Sequence, residues 1–581
     1  MGWKKRACAA LTAALCLFSG CGVPSLITGE ERPVDNVRVS TDYFGMAWYQ
    51  NGTLNPVLDG TAVNRLLSEA LYEGLFEVSS GFTAQNVLCE SYEGDGSTFT
   101  FTLREGVQFW SGETLTAIDV AESLNTARYN EDSPYYNRLT EVTAIEVIDN
   151  LTLRIRLSSP NTAFPRLLDI PVFRNGSALS GDFADGTGPF QPVKEESGWM
   201  LRAFENWNGG FLGSIRNITL IPVARADAID SSFRTGDVSI LRQARIAPDA
   251  NSTLHGGSVD AVPTATADMH YLGINHDRRN LSNAKVRQAL SIAIGRQSLC
   301  DTQLQTFAIP AVLPVNPQPA DDAPSVSADI ERAIRLLREG VEEVRMGISD
   351  NSGDEDDEDT DSDEDTDENS DENTDEDTDE NTDEDSDENT DENTDETGED
   401  TDEYTDEGDS SSGDTDESGE DTRSTEPPEE MISLRLLVNS DNTFKVAAAE
   451  QIAASWKAIG VGVILDAQPY ETYLERVEAG EFDVYYGETL LTADFDMRPL
   501  ISAGGSLNYG GYADEEMSAA VAAARRGDDV AGYYSTFLEK MPVIPLAFER
   551  GQIIIRKGLI DNFTPAPYNA FAGQEQWTTT G

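Results

Sequence analysis

The sequence predicts an α/β fold divided into several lobes and interrupted by a long acidic insertion. Three observations carry this. The chain has 581 residues, whereas one domain usually holds roughly 100–200. From residue 432 to 465 a strand, a helix and a second strand follow one another, the order of an α/β unit. Just before them, residues 351–420 contain 39 Asp or Glu and no Lys or Arg.

The first twenty residues read as a secretory leader. Lys4, Lys5 and Arg6 precede an apolar run from Ala7 to Phe18, broken only by Thr12. That run is too short for a permanent membrane span. Phe18-Ser19-Gly20-Cys21 follows and resembles a bacterial lipobox, with Phe18 where Leu is usual. Cleavage before Cys21 would free its thiol to take a diacylglycerol, tethering a soluble chain to a membrane. The alternative is an ordinary cleaved signal with an incidental cysteine. The expected layout is a leader over 1–20 and a tether over 21–34. No later segment is long and apolar enough to cross a bilayer, so the remainder is expected outside the cytoplasm, lipid-anchored to the bacterial cell membrane. Cys8 and Cys16 leave with the leader. Cys89 and Cys300 remain, as one bridge or as two small buried residues, the second being preferred.

Patterned sequence begins with the strand-like Val37-Arg38-Val39. Asn64 to Leu75 reads as an amphipathic helix, with Leu67, Ala70, Leu71 and Leu75 on one face. Thr98 to Leu103 alternates aromatic and polar residues, so Phe99, Phe101 and Leu103 should face a core. Thr116 to Arg128 reads as a helix opened by Thr116 and Asp119, where a carboxylate favours the free N–H groups. Ile145–Ile148 and Leu151–Leu157 flank Asp149-Asn150 as a hairpin. Ser282 to Leu299 and Ile330 to Val344 are helical, the latter ending near Gly347. From Asp350 to about Glu430 a repeat of Thr/Ser, Asp, Glu and Asn/Asp with period four has no apolar area to bury, and its charges repel; it is expected to be disordered. Ile432–Val438 is a strand, Lys445–Ile459 a helix stopped by Gly460, and Val461–Leu465 a strand. Val543–Phe548 and Ile553–Arg556 are strand-like.

Charge and motifs exclude several functions. The formal net charge is −64; without the acidic segment it remains −25. No basic stripe exists to meet phosphates, so nucleic acid is not an expected partner. His255, His270 and His276 are the only histidines, and none has metal-ligand spacing. Gly408-Asp409-Ser410 sits inside the acidic repeat with no scaffold for a base or oxyanion hole. Gly460-Val461-Gly462 follows a helix, the wrong order for a dinucleotide site. The repeat lacks the EF-hand glycine and ligand alternation. No cofactor is expected, and an enzyme is not.

Four stretches carry a resemblance. They are Leu54-Asn55-Pro56 with Leu71-Tyr72-Glu73-Gly74-Leu75-Phe76; Phe99 to Phe109 with Ser111 to Ala117 and Asp119-Val120; Gly186-Thr187-Gly188-Pro189-Phe190; and Asn275 to Asp277 with Val286 to Leu290 and Ala293-Ile294. In this order they resemble the family 5 solute-binding proteins, the dipeptide and oligopeptide binders of ABC importers. Weaker matches lie at Ile459-Gly460-Val461 and Gly480 to Asp483. The resemblance implies a bilobal, periplasmic-binding-protein-like fold of class II. Lobe I would span 35–265, with an extra domain inserted over about 59–175. Lobe II would span 266–349 and 431–540, interrupted by the acidic insertion over 350–430, and residues 541–581 would return to lobe I. A ligand would sit between lobes and favour their closure. A peptide or other small molecule is the expected ligand and membrane permease subunits the expected partners of a monomer. A nickel chelate, haem or sugar is the alternative cargo, and an adhesin or sensor retaining the fold the alternative role.

In oligopeptide binders of this family an Asp in an Ala-Asp-aromatic stretch, shortly after a Phe-Asp-Val strand, pairs with the ligand's α-amino group. Here Phe482-Asp483-Val484 precedes Ala493-Asp494-Phe495, which makes Asp494 the candidate, with Asp496 as the competing choice. A desolvated ammonium needs a charged partner. Asn508 and Tyr509 follow in a glycine-rich run that lets backbone approach a ligand, a surface turn being the alternative. Trp110, Tyr485 and Tyr486 complete the candidate contacts.

Overall fold

Four sheets carry the described residues. The computed structural model describes residues 43–49, 54–178, 183–211, 213–225, 227–243, 246, 259–318, 324–347 and 428–579. The leader with Cys21, the Val37–Val39 strand, His255 and the acidic repeat with Gly408-Asp409-Ser410 lie outside them.

In lobe I, strand Gly45–Tyr49 runs parallel to Asn217–Val223, and the sheet continues antiparallel through Gly198–Ala203 to Phe190–Glu195. A second, antiparallel sheet has the order Cys89–Gly94, Thr98–Leu103, Thr152–Leu157, Val142–Val147. Its alternation is the one read from sequence: Phe99, Phe101 and Leu103 are all buried. Helix Ala117–Arg128 packs on it, and Asp119 accepts from both Thr116 N and Thr116 Oγ1, at 2.8 and 2.7 Å. Both cysteines are free and buried.

Lobe II is built on Ile432–Asn439, flanked in parallel by Val461–Gln468 and Val484–Leu490. Helix Thr443–Lys457 makes the crossover and buries Trp456, whose Nε1 donates to Leu290 O at 2.9 Å. The expected helix 282–299 is two helices, Ala284–Ile292 and Arg296–Thr302, because Gly295 caps the second. The two strands expected at 543–548 and 553–556 are one, Ile544–Arg556. Arg550-Gly551 reads as a turn but stays in register with Ala265 and Thr264, so the ladder continues through it.

Two long strands join the lobes. Val259–Ile274 and Ile544–Arg556 pair antiparallel along their length. At one end Ile554 packs with Ala47 and Val223 of lobe I; at the other Ile544 packs with Leu436 and Trp456 of lobe II. The ladder shifts register between Ala265 and Met269 and again between His270 and Tyr271. Such bulges concentrate twist and bending.

Candidate functional site

A cavity of about 370 Å³ opens on lobe I. One wall is helix Ala62–Leu71. Thr61 caps it, and Asn64 ties it to the first strand by bonds to Tyr49 N and O and to Asp59. Leu66, Leu67, Ala70 and Leu71 are buried in the core. The opposite stripe, Arg65, Ser68, Glu69 and Tyr72, lines the chamber. The helix stops at Leu71, short of the expected Leu75, because Tyr72 is extended and Gly74 lies against Asp169 and Ile170, where a Cβ would come within 3.0 Å of their backbone. That close approach sets Glu73 and Glu77 beside Asp169. The carboxy-terminal segment, Tyr568 to Glu575, closes the other side.

The charges are unevenly matched. Arg242 holds Glu69 by two bonds, at 2.6 and 3.1 Å, and Ala570 N adds a third at 2.7 Å. Arg138 pairs with Asp169 and lies over the rings of Tyr135 and Tyr568. The Arg65 guanidinium has no ion-pair or hydrogen-bond partner among the described residues. Glu73 accepts from Trp207 Nε1 at 2.9 Å while its Oε2 has no partner. Burial pushes the Glu73 carboxyl up to about 7 in spite of that bond and of the nearby Arg104 charge. Glu77 accepts only from Asn569 Nδ2, at 3.2 Å, and burial followed by neighbouring acids raises it as well. The chamber therefore presents an uncompensated cation on one wall and uncompensated carboxyl groups on another. A guest carrying both an ammonium and a carboxylate would supply the missing partners.

A second cavity, about 200 Å³, lies where the lobes meet. Asp494 lines it, is 4 % exposed, and accepts from Asn161 Nδ2 of lobe I at 2.8 Å and from Thr492 at 2.5 Å. Burial, then the neighbouring Asp496 charge, raises its carboxyl. Arg498 and Arg525 of lobe II reach Glu141 of lobe I, and both also pair with Asp496. Phe82 stands between the cavities: its ring is 6.2 Å from Tyr568 of the chamber and 4.8 Å from Phe495 of the smaller cavity. Phe82 and Phe495 both have φ of 55°, a left-handed backbone that bulky residues rarely adopt and that only a well-determined surrounding holds.

Of the candidate ligand contacts named from sequence, only Asp494, with its alternative Asp496, lines either of these cavities. Trp110 sits behind Tyr72, ring on ring at 5.5 Å, and donates to Gly188 O. Asn508 closes a turn through Ser502 O, Tyr512 O and Tyr512 N, and Tyr509 is half-buried beside Tyr485. Tyr485 and Tyr486 point to opposite faces of their strand and are both buried, bonded to Tyr271 and facing His270 respectively. Arg65, Glu69, Glu77, Asp169 and Tyr568 were not foreseen. Their one local trace is the polar stripe at positions 65, 68, 69 and 72, spaced as a helix face opposite the apolar one. Among the described residues one group of metal-type donors, His270, Glu488 and Glu549, lies within 4.8 Å of one another, outside both cavity walls.

Two α/β lobes joined by a pair of long strands, with polar cavities in and beside their junction, define a bilobal solute-binding protein. A family profile described as bacterial extracellular solute-binding proteins, family 5, middle region, matches residues 83–376, and the chain belongs to that family. Among curated proteins it is 29 % identical over 317 residues to the glutathione-binding protein GsiB of Salmonella paratyphi A, covering 49 % of this chain and 59 % of the relative. It is 28 % identical over 288 residues to GsiB of Escherichia coli, covering 46 % and 54 %. The chain thus matches little more than half the length of these relatives. Among solved structures, the ABC transporter substrate-binding protein CtaP of Listeria monocytogenes superposes with TM-score 0.62 at 15 % identity, covering 93 % of this chain and all of that one. A nickel ABC transporter protein of Bacillus halodurans superposes with TM-score 0.62 at 18 % identity, covering 92 % and 99 %. Both establish the shared fold. No helix among the described residues is long and apolar enough to cross a membrane.

Proposed function

We propose that this chain is the extracytoplasmic receptor of an ABC importer, non-enzymatic, tethered through lipid on Cys21, and that it captures a short peptide or peptide-like zwitterion. The observation that supports this is the unmatched charge of the chamber: among the described residues Arg65 has no ion-pair or hydrogen-bond partner and Glu77 is bonded only to the neutral Asn569 amide. In this reading Arg65, with the Tyr135 and Tyr568 rings beside it, receives the guest's carboxylate, and Glu77 receives its ammonium. A volume of about 370 Å³ falls at the small end of ligand cavities, roughly 300–1,000 Å³, which suits two or three residues better than a long peptide. Asp494 is assigned a second ammonium contact, available when the lobes part and Asn161 withdraws. The glutathione named for the Salmonella relative is itself a tripeptide with groups of both signs, so it heads the list of guests to try.

The test is native mass spectrometry of the purified protein for co-purified ligand, followed by calorimetric titration of dipeptides, tripeptides, glutathione and a nickel–histidine chelate. Arg65→Met and Glu77→Gln should each weaken a zwitterion about 10- to 100-fold, the worth of one charge-assisted bond at roughly 1.5–3 kcal/mol. Unchanged affinity in both variants, or binding of the chelate alone, would remove the peptide reading.

A further inference from the structure

The lobe-joining strands carry a polar cluster that the capture site does not use. His270, on Val259–Ile274, is fully buried. Its Nδ1 lies 3.3 Å from Tyr486 Oη, which fixes the ring, and its Nε2 has no hydrogen-bond partner among the described residues. That nitrogen lies 3.9 Å from Glu549 Oε2 on Ile544–Arg556. Glu488, directly opposite His270 on Val484–Leu490, completes a set of three donor atoms within 4.8 Å of one another. Asp268, two residues before His270 on the same strand face, also has a buried Oδ1 with no hydrogen-bond partner among the described residues.

We infer that His270, Glu488 and Glu549 form a binding site for a first-row divalent cation at the junction of the two lobes. A separation of 3.9 Å is too long for a hydrogen bond. Bonds of about 2.1 Å place two ligands of one ion roughly 3–4.2 Å apart, so the His270–Glu549 spacing falls within that range and the widest spacing of the set, up to 4.8 Å, must close by a few tenths of an ångström when an ion binds. One imidazole with carboxylates suits Zn²⁺ or Mn²⁺ over Ca²⁺ or Mg²⁺, which prefer all-oxygen sets. The Tyr486 contact on Nδ1 is the outer-shell bond that orients a ligating histidine. Glu488 is partly exposed, so an ion can reach the cluster past it. Lys445 Nζ now holds Glu488 at 2.5 Å and competes with the ion.

The test uses the full chain with excess Mg²⁺ to occupy the acidic repeat, and measures Zn²⁺ uptake by equilibrium dialysis and elemental analysis. The wild-type protein should retain one equivalent that His270→Ala loses. Lys445→Met, which frees Glu488 and leaves the ring in place, should tighten that equivalent roughly fivefold, the worth of one partly exposed ion pair. Equal uptake by wild type and His270→Ala would overturn the site, leaving a bridging water as the filler of the gap. Failure of Lys445→Met to tighten binding would overturn the part given to Glu488, even where His270→Ala does not fold.

Discussion

Removal of the Glu141 carboxylate should open the closed protein. Glu141 precedes strand Val142–Val147 of lobe I, and its two oxygens take Arg498 Nη1, at 2.7 Å, and Arg525 Nη2. Both arginines belong to lobe II, so these bonds exist only while the lobes are together. Arg525 is 10 % exposed, Glu141 23 % and Arg498 30 %, which puts the pairs between a surface bridge and a buried one. Stranding a buried charge costs about 3–5 kcal/mol, but neither arginine is stranded in Glu141→Gln. Arg498 keeps Asp496 through three bonds, and Arg525 keeps Asp496 at 3.4 Å. The loss is therefore nearer to that of two partly exposed pairs, about 1–2 kcal/mol, a factor of roughly 5–30 in the closed-to-open ratio. Interlobe distance by fluorescence transfer, with labels on the two lobes, should show that shift without ligand, and calorimetry should show affinity weakened by up to the same factor. The contrast should shrink as salt screens the wild-type pairs. An unchanged distance and unchanged affinity in Glu141→Gln would refute the argument that these pairs hold the lobes together.

Glu73 should give stability an unusual pH dependence. Its folded carboxyl, pushed up to about 7 by burial against 4.5 for the ordinary group, binds the proton more tightly in the folded chain. Between these values the folded state holds more protons than the unfolded one, so this contribution falls as pH rises, by at most about 3 kcal/mol. Glu73→Gln should flatten the melting temperature between pH 5 and 8 and raise it at pH 8; a variant that tracks wild type across the range would contradict this. Phe82→Ala should open a path between the two cavities, because its ring contacts both Tyr568 and Phe495, and should improve binding of tetrapeptides relative to dipeptides. A uniform loss across all lengths would mean that Phe82 only supports the fold.

The sequence made the elements legible and left the chamber hidden, for one physical reason. Alternation at Phe99, Phe101 and Leu103, the Thr116/Asp119 cap and Gly347 at the end of helix Ile330–Met346 are local signals that adjacent residues settle. The chamber is assembled from residues near 65, 77, 138, 169 and 569, and no local rule joins them. Arg65 and Glu69 look like an ordinary solvated helix face, and only the return of Tyr568 to Glu575 against that face turns it inward. His270 shows the same limit: only Asp268 stands near it along the chain, whereas sheet pairing brings Glu488 directly opposite and Glu549 alongside. Asp494, named from its resemblance to a family stretch, does line a cavity. Tyr485 and Tyr486 show the limit of reading aromatic residues, since a strand buried on both faces offers neither to a guest.

The placement of these features explains how a small guest can govern a large motion. The joining strands keep their ladder on both sides of the register shifts at 265–269 and 270–271, so bending concentrates there and each lobe moves as a body. The contacts that resist opening include Glu141 with the two arginines, Asn161 with Asp494, Thr162 N and Oγ1 with Arg525 O, and Phe82 on Phe495, and they lie apart from those strands. Each is worth little alone, and together they hold the closed form by only a few kcal/mol. A guest needs about 5.5 kcal/mol of preference for one form to carry the equilibrium from 1:99 to 99:1. Two charge-assisted bonds, at Arg65 and Glu77, are worth roughly 3–6 kcal/mol, but both residues belong to lobe I, so only the part of that energy gained on closure counts toward the preference. If those bonds are completed only in the closed form, chamber and latch share one free-energy balance. Weakening the latch at Glu141 should then lower affinity without touching any residue that meets the guest.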